Sequence, residues 1–122
     1  MKIYYSHCQA IYDSPQEARD IEILERFGFV VINPNSPEHI VEAQRLKSEG
    51  KNAMPYFEGL VTSCDALAFR AMPDSSIPAG IAKEIRTAAD INLPVIELPS
   101  QVLRRVLSVE QTREYLTEIG QR

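Results

Sequence analysis

The chain has 122 residues, 44% of them apolar and 25% charged, with a formal net charge of -4. That length can bury a core without metals or disulfides, so one globular domain over residues 1–122 is expected. The acidic balance and the lack of any Lys or Arg run argue against a nucleic-acid polymer as partner, and no apolar run approaches the roughly 18 residues of a membrane span. A soluble, cytoplasmic protein is therefore expected. Cys8 and Cys64 lack CxxC spacing and a histidine cluster, so they read as reduced thiols and not as a metal site.

The first element is "KIYYS" (2–6), short, aromatic and β-branched, which predicts a strand. "SPQE" (14–17) offers Ser14 as a helix cap, Pro15 for the first turn and Glu17 to complete a capping box. Ala18, Ile21, Ile23, Leu24 and Phe27 follow at helical spacing, and Gly28 ends the helix. "FVVIN" (29–33) predicts a second strand, apolar enough to be buried on both faces. Ser36 and Pro37 open a second helix that runs to about Ser48, and residues 54–63 predict a third. "DALAFRA" (65–71) is the third strand, residues 79–91 the next helix, and "LPVIELP" (93–99) the fourth strand. Residues 101–107 are a candidate fifth strand, and Ser108 with Gln111 caps a last helix over 108–119.

Strands and helices therefore alternate. The pattern predicts an α/β fold of three layers: a mostly parallel sheet of four to five strands with helices on both faces, Rossmann- or flavodoxin-like. Ligands of such sheets bind beyond the carboxyl ends of the strands, near the switch in strand order. The loops at that edge hold Ser6, His7, Tyr12, Asn33, Asn35, Ser36, His39, Ser75 and Ser76. Helix starts after Ser14, Ser36 and Ser76 could receive an anion, or the serines could simply cap. No dinucleotide fingerprint, P-loop or nucleophile elbow is present. Tyr12 and Tyr56 could stack a base or serve packing.

One residue in the helix over 79–91 stands out. Gly80, Glu84 and Ala88 share a helix face, and two of the three are small, so a ligand could approach the carboxylate closely. The neighbours of Glu84 at three and four residues are Ile81, Gly80, Thr87 and Ala88, none of them basic. The usual helix-surface ion pair is therefore not open to it. Asp65 can satisfy backbone N–H groups at a strand start, or face a ligand.

The stretch "CDALAFRAMPDSSIPAGIAKEIRTAADINLPVIEL" resembles the nucleoside 2-deoxyribosyltransferase-like superfamily, which includes the 2'-deoxynucleoside 5'-phosphate N-hydrolases. Asp65 matches the family's strand-opening Asp; Gly80, Ala82 and Glu84 match its Gly-x-Gly-x-Glu helix start; Pro94 and Val95 match the following strand. "KIYYSH" and "RFGFVVINP" are similar more loosely, and the specific match spans residues 64–98. The resemblance implies cleavage or transfer of the N-glycosidic bond of a nucleoside or nucleotide, with Glu84 as nucleophile. It implies Glu58 and His7 as candidate acids, and Tyr5, Ser6, Asn33, Asp65, Ser75, Ser76 and Gly80 as sugar- or phosphate-binding residues. It implies no metal and no organic cofactor, a small-molecule nucleoside or nucleotide as partner, and a homodimer or higher homo-oligomer.

The chain departs from the family pattern at three points. Phe57 stands eight residues before Asp65, where the family has an Asp, with Glu58 one place off; Pro78 stands six before Glu84; and Ala82 replaces the second Gly. These departures keep a second expectation open: a protein that binds a nucleotide or an ADP-ribose-like signal without turning it over.

Overall fold

The computed structural model describes residues 1–99 and 107–121. Four parallel strands form one sheet in the order β2–β1–β3–β4, with β1 over Lys2–Ser6, β2 over Val30–Ile32, β3 over Ala66–Phe69 and β4 over Val95–Glu97. The helices are α1 (Pro15–Arg26), α2 (Pro37–Ser48), α3 (Met54–Thr62), α4 (Ala79–Asp90) and α5 (Val109–Glu118), with a 3-10 turn over Gln9–Ile11. This is the expected three-layer α/β architecture. The candidate strand over 101–107 falls outside the described residues except for Leu107.

Alternation along the central strands sorts the core into two layers. Tyr4, Leu67 and Phe69 face Val61 of α3 and Ile81 and Ala88 of α4. Ile3, Tyr5, Ala66 and Ala68 face the other way, towards Leu24 and Ile21 of α1. β1 and β3 are buried throughout their inward positions because both are flanked by strands. β2 was expected to be buried on both faces; it lies at the sheet edge, where Val30 is 58% exposed and Val31 and Ile32 are only half-buried.

α1 differs from the apolar stripe its sequence suggests. Its buried face is Glu17, Asp20 and Leu24, whereas Ala18 and Phe27 are exposed. Ser14 caps the helix by accepting from the Glu17 N–H at 3.2 Å. The reciprocal half of the expected capping box is absent, because the Glu17 carboxylate is held instead by Asp13, Asn35 and His7. At α5 the capping box of Ser108 and Gln111 is complete.

The strand order sets the site. From β1 the chain crosses to β2 on one side, then returns to β3 on the other. The loops leaving β1 and β3 therefore diverge, and a crevice opens between them at the carboxyl edge of the sheet.

Candidate functional site

Glu84 sits at this crevice. It lies in the second turn of α4, on the same helix face as Ile81 and Ala88, which anchor that face to the sheet. Packing of those apolar neighbours carries Glu84 inward, and it is only 7% exposed. Two hydroxyls of β1 receive it. Tyr4 donates to Oε2 at 2.5 Å and Ser6 donates to Oε1 at 2.7 Å. Tyr4 and Ser6 are two residues apart in a strand, so both side chains point to the same sheet face. No Lys or Arg pairs with Glu84 among the described residues.

The electrostatics follow from that geometry. Burial pushes the Glu84 carboxyl up from its ordinary value; the Tyr4 and Ser6 hydrogen bonds pull the other way, and the nearby charge of Glu58 pushes up again. Burial, and then the charge and hydrogen bond of Glu84, hold the Tyr4 hydroxyl far above the usual phenol range, so Tyr4 remains a donor. Each carboxylate oxygen accepts one hydrogen bond and keeps a second lone pair. The carboxylate is thus fixed in orientation but still has electrons to offer.

A cavity of about 660 Å³ opens onto Glu84. That volume lies in the range of small-molecule sites. One wall is Tyr4 with the β1 loop, including His7, Cys8 and Tyr12; another is the α4 start, Pro78, Gly80 and Ile81. The third comes from α2 and α3, with Gln44, Lys47, Met54 and Phe57. Gly80 has no heavy atom within 4 Å of where a Cβ would stand, so its missing side chain leaves open space. Burial, followed by the charges of Glu84 and Glu17, pushes the Tyr12 hydroxyl up to about 12.

The expected site residues divide into those the cavity gathers and those it does not. Glu84, Gly80 and His7 border it. Ser6 is fully buried beneath Glu84, so it orients the carboxylate and does not touch a ligand. His7 is locked: Nδ1 meets the Tyr5 carbonyl at 3.0 Å, Nε2 meets Glu17 at 2.7 Å, and the ring stacks on Tyr5 at 3.7 Å. Neither ring nitrogen is free to protonate a leaving group. Glu58 accepts from Thr87 at 3.3 Å and does not line the cavity, so it is displaced from the expected acid position.

Contrary to expectation, Tyr5, Asn33, Ser75 and Ser76 do not line the cavity, and Asp65 takes the structural one of its two readings. Tyr5 faces the opposite side of the sheet and donates to Asp20 at 2.6 Å. Asp65 accepts from the Lys2 N–H at 2.7 Å at the amino edge of the sheet, roughly 13 Å from the site by the length of β1. Asn33 caps its own loop by accepting from the Asn35 N–H at 2.9 Å and does not line the cavity. Ser75 and Ser76 are exposed in the loop before α4, where Ser76 bonds Asp74 at 2.6 Å. Of the two candidate stacking tyrosines, Tyr12 lines the cavity, while the Tyr56 hydroxyl is paired with His39 at 2.7 Å.

Sequence reasoning missed Tyr4 as the partner of Glu84, and it missed the wall from α2 and α3. The period-2 pattern of "YYS" could have placed Tyr4 and Ser6 on one face; nothing local could have paired them with Glu84, 80 residues away. The fold and the site together define a three-layer α/β protein with a carboxylate that has no cationic partner among the described residues, beside a cavity at the strand-order switch. No protein-family model, curated protein or solved structure matches the chain.

Proposed function

We propose that the protein cleaves or transfers the N-glycosidic bond of a nucleoside or nucleoside 5'-phosphate, with Glu84 as nucleophile. The observation that carries this reading is the buried carboxylate, oriented by Tyr4 and Ser6, unpaired with any described cation and open to a cavity. A structural carboxylate at such depth normally has a cationic partner. One held only by neutral donors keeps its charge for a positive centre that arrives with the substrate.

The chemistry fits that demand. As the C1'–N bond lengthens, positive charge develops on C1' and the ring oxygen. Glu84 stabilises that charge and then closes on C1' to form a glycosyl ester. Water or a second base releases the sugar. Tyr4 and Ser6 act as positioning residues, and their donors sit in place before the reaction begins. The resemblance of residues 64–98 to the deoxyribosyltransferase-like superfamily supports the same assignment, and by it the proposal includes self-association.

A second reading is favoured by one observation: Glu58 and His7 are both engaged elsewhere, so neither stands ready to protonate a neutral base. In that reading the cavity holds a nucleotide or ADP-ribose-like ligand without turnover. Incubation with a panel of nucleosides, nucleotides and dinucleotides separates the two. Release of free base that disappears in Glu84→Gln, with the fold intact by circular dichroism, supports the enzyme. Ligand recovered unchanged with micromolar affinity supports the binder.

A further inference from the structure

We infer that the N-glycosides turned over at this site carry a cationic leaving group of the quaternised-pyridine type, as in nicotinamide glycosides, rather than a neutral purine or pyrimidine. The inference rests on the reading of Glu84 as nucleophile and narrows its substrate class.

The argument begins with protons. A neutral base departs with an extra electron pair and needs a proton from a positioned acid, a contribution worth about 10²- to 10⁴-fold in rate. Among the described residues lining the cavity, Glu84 is the one carboxylate. The Tyr4 hydroxyl is committed to Glu84, and both nitrogens of His7 are committed to Tyr5 and Glu17. Burial and the charges of Glu84 and Glu17 make Tyr12 a weaker acid than an ordinary phenol. Cys8 packs against the apolar cluster around Tyr4 and Phe69. Lys47 lines the cavity from the last turn of α2, where it is exposed to solvent.

The walls point the same way. Phe57 lines the cavity while its neighbour Glu58 is turned to Thr87. Aromatic side chains, Tyr12 and Phe57 among them, and one carboxylate unpaired with any described cation therefore line the cavity, with Lys47 also on its wall. Aromatic faces and a carboxylate attract a flat cation.

The step balances without an acid. A Glu84 oxygen supplies the electron pair of the new bond to C1'. The C1'–N bond breaks, and its pair moves onto the ring nitrogen. The ring loses its positive charge and leaves as neutral pyridine-3-carboxamide. Water then attacks C1' of the glycosyl ester, loses a proton to solvent, and the carboxylate is restored.

The test compares nicotinamide riboside, its 5'-phosphate and the oxidised nicotinamide dinucleotide with a set of purine and pyrimidine nucleosides and 5'-phosphates at pH 7.5. Released base is measured by chromatography. The inference expects kcat/KM for the pyridinium glycosides to exceed that of every neutral-base glycoside by at least ~100-fold. Glu84→Gln and Glu84→Ala should both abolish it, with folding checked by circular dichroism. Phe57→Leu should raise KM for nicotinamide riboside ~3- to 30-fold with little change in kcat, through the lost cation–π contact. Comparable Glu84-dependent cleavage of neutral nucleosides overturns the leaving-group inference and leaves the glycosidase reading standing. Failure to release base from any member of either set overturns both.

Discussion

Tyr4 and Tyr5 are neighbours in β1, and each donates from a buried hydroxyl to a buried carboxylate, yet the two carboxylates are built for different ends. On the α1 face, Asp20 accepts from Tyr5 at 2.6 Å and is gripped by Arg70 through Nε at 2.7 Å and Nη2 at 2.6 Å. Gln16 adds a fourth donor, and Arg70 also bonds the Pro99 carbonyl at 2.7 Å. On the α4 face, Glu84 has two neutral donors, no described cation and a cavity beside it. Asp20 is a closed, charge-balanced joint between helix and sheet. Glu84 is an open one, without a counter-charge among the described residues, and under the proposed function the substrate supplies it.

Removing the cation from the closed joint should give the largest effect. Arg70→Met leaves Asp20 buried and uncompensated and should cost about 3–5 kcal/mol in urea unfolding. Glu84→Gln should behave oppositely. The folded-state carboxyl of Glu84 is raised above its ordinary value of 4.5, so the folded chain binds that proton more tightly than the unfolded chain. Stability from this group is therefore highest at low pH and falls as pH rises from 4.5 through the folded value. Gln does not titrate, so its stability relative to the parent should improve as pH rises through that window. A parent that gains on Glu84→Gln as pH rises would contradict the contrast.

A smaller change sharpens the same contrast at one atom. Tyr4→Phe removes the donor to Oε2, which pulls the Glu84 carboxyl down. The acid limb of the pH–rate profile should move to higher pH, with the loss of turnover largest on the acid side. An unmoved acid limb would mean that Tyr4 does not tune the carboxylate.

The fold was legible in the sequence because alternation of short apolar runs with capped amphipathic stretches is a local signal. That Glu84 has no ion pair along its own helix was legible for a related reason: the absence of a basic residue at three and four positions is visible in the sequence. Its setting was not legible. Tyr4 and Glu84 are 80 residues apart, and Arg70 and Asp20 are 50 apart. Such partners are chosen by strand order, which no local pattern encodes. The same blindness explains α1, where Glu17 and Asp20 are buried because His7 and Arg70 wait for them. Asp65 takes the structural one of its two readings, because a residue opening a strand lies at the end of a parallel sheet opposite to its ligands.

The smallest effect separates stability from function. Gly80 borders the cavity near the start of α4, with open space where a Cβ would stand. Gly80→Ala should stabilise the helix by up to ~1 kcal/mol in thermal unfolding while placing a methyl group in the ligand's approach to Glu84. Raised stability with lowered turnover fits an open site. Raised stability with unchanged turnover would put the reacting sugar elsewhere.

The most direct test traps the glycosyl ester itself. The protein is incubated with 2'-deoxy-2'-fluoro-arabinosyl analogues of nicotinamide and purine nucleosides, whose electron-poor C1' slows release, and its intact mass is measured. The mass should rise by one fluoro-sugar, peptide mapping should place it on Glu84, and Glu84→Gln should show no gain. No adduct with any analogue, or an adduct on another side chain, would contradict Glu84 as nucleophile.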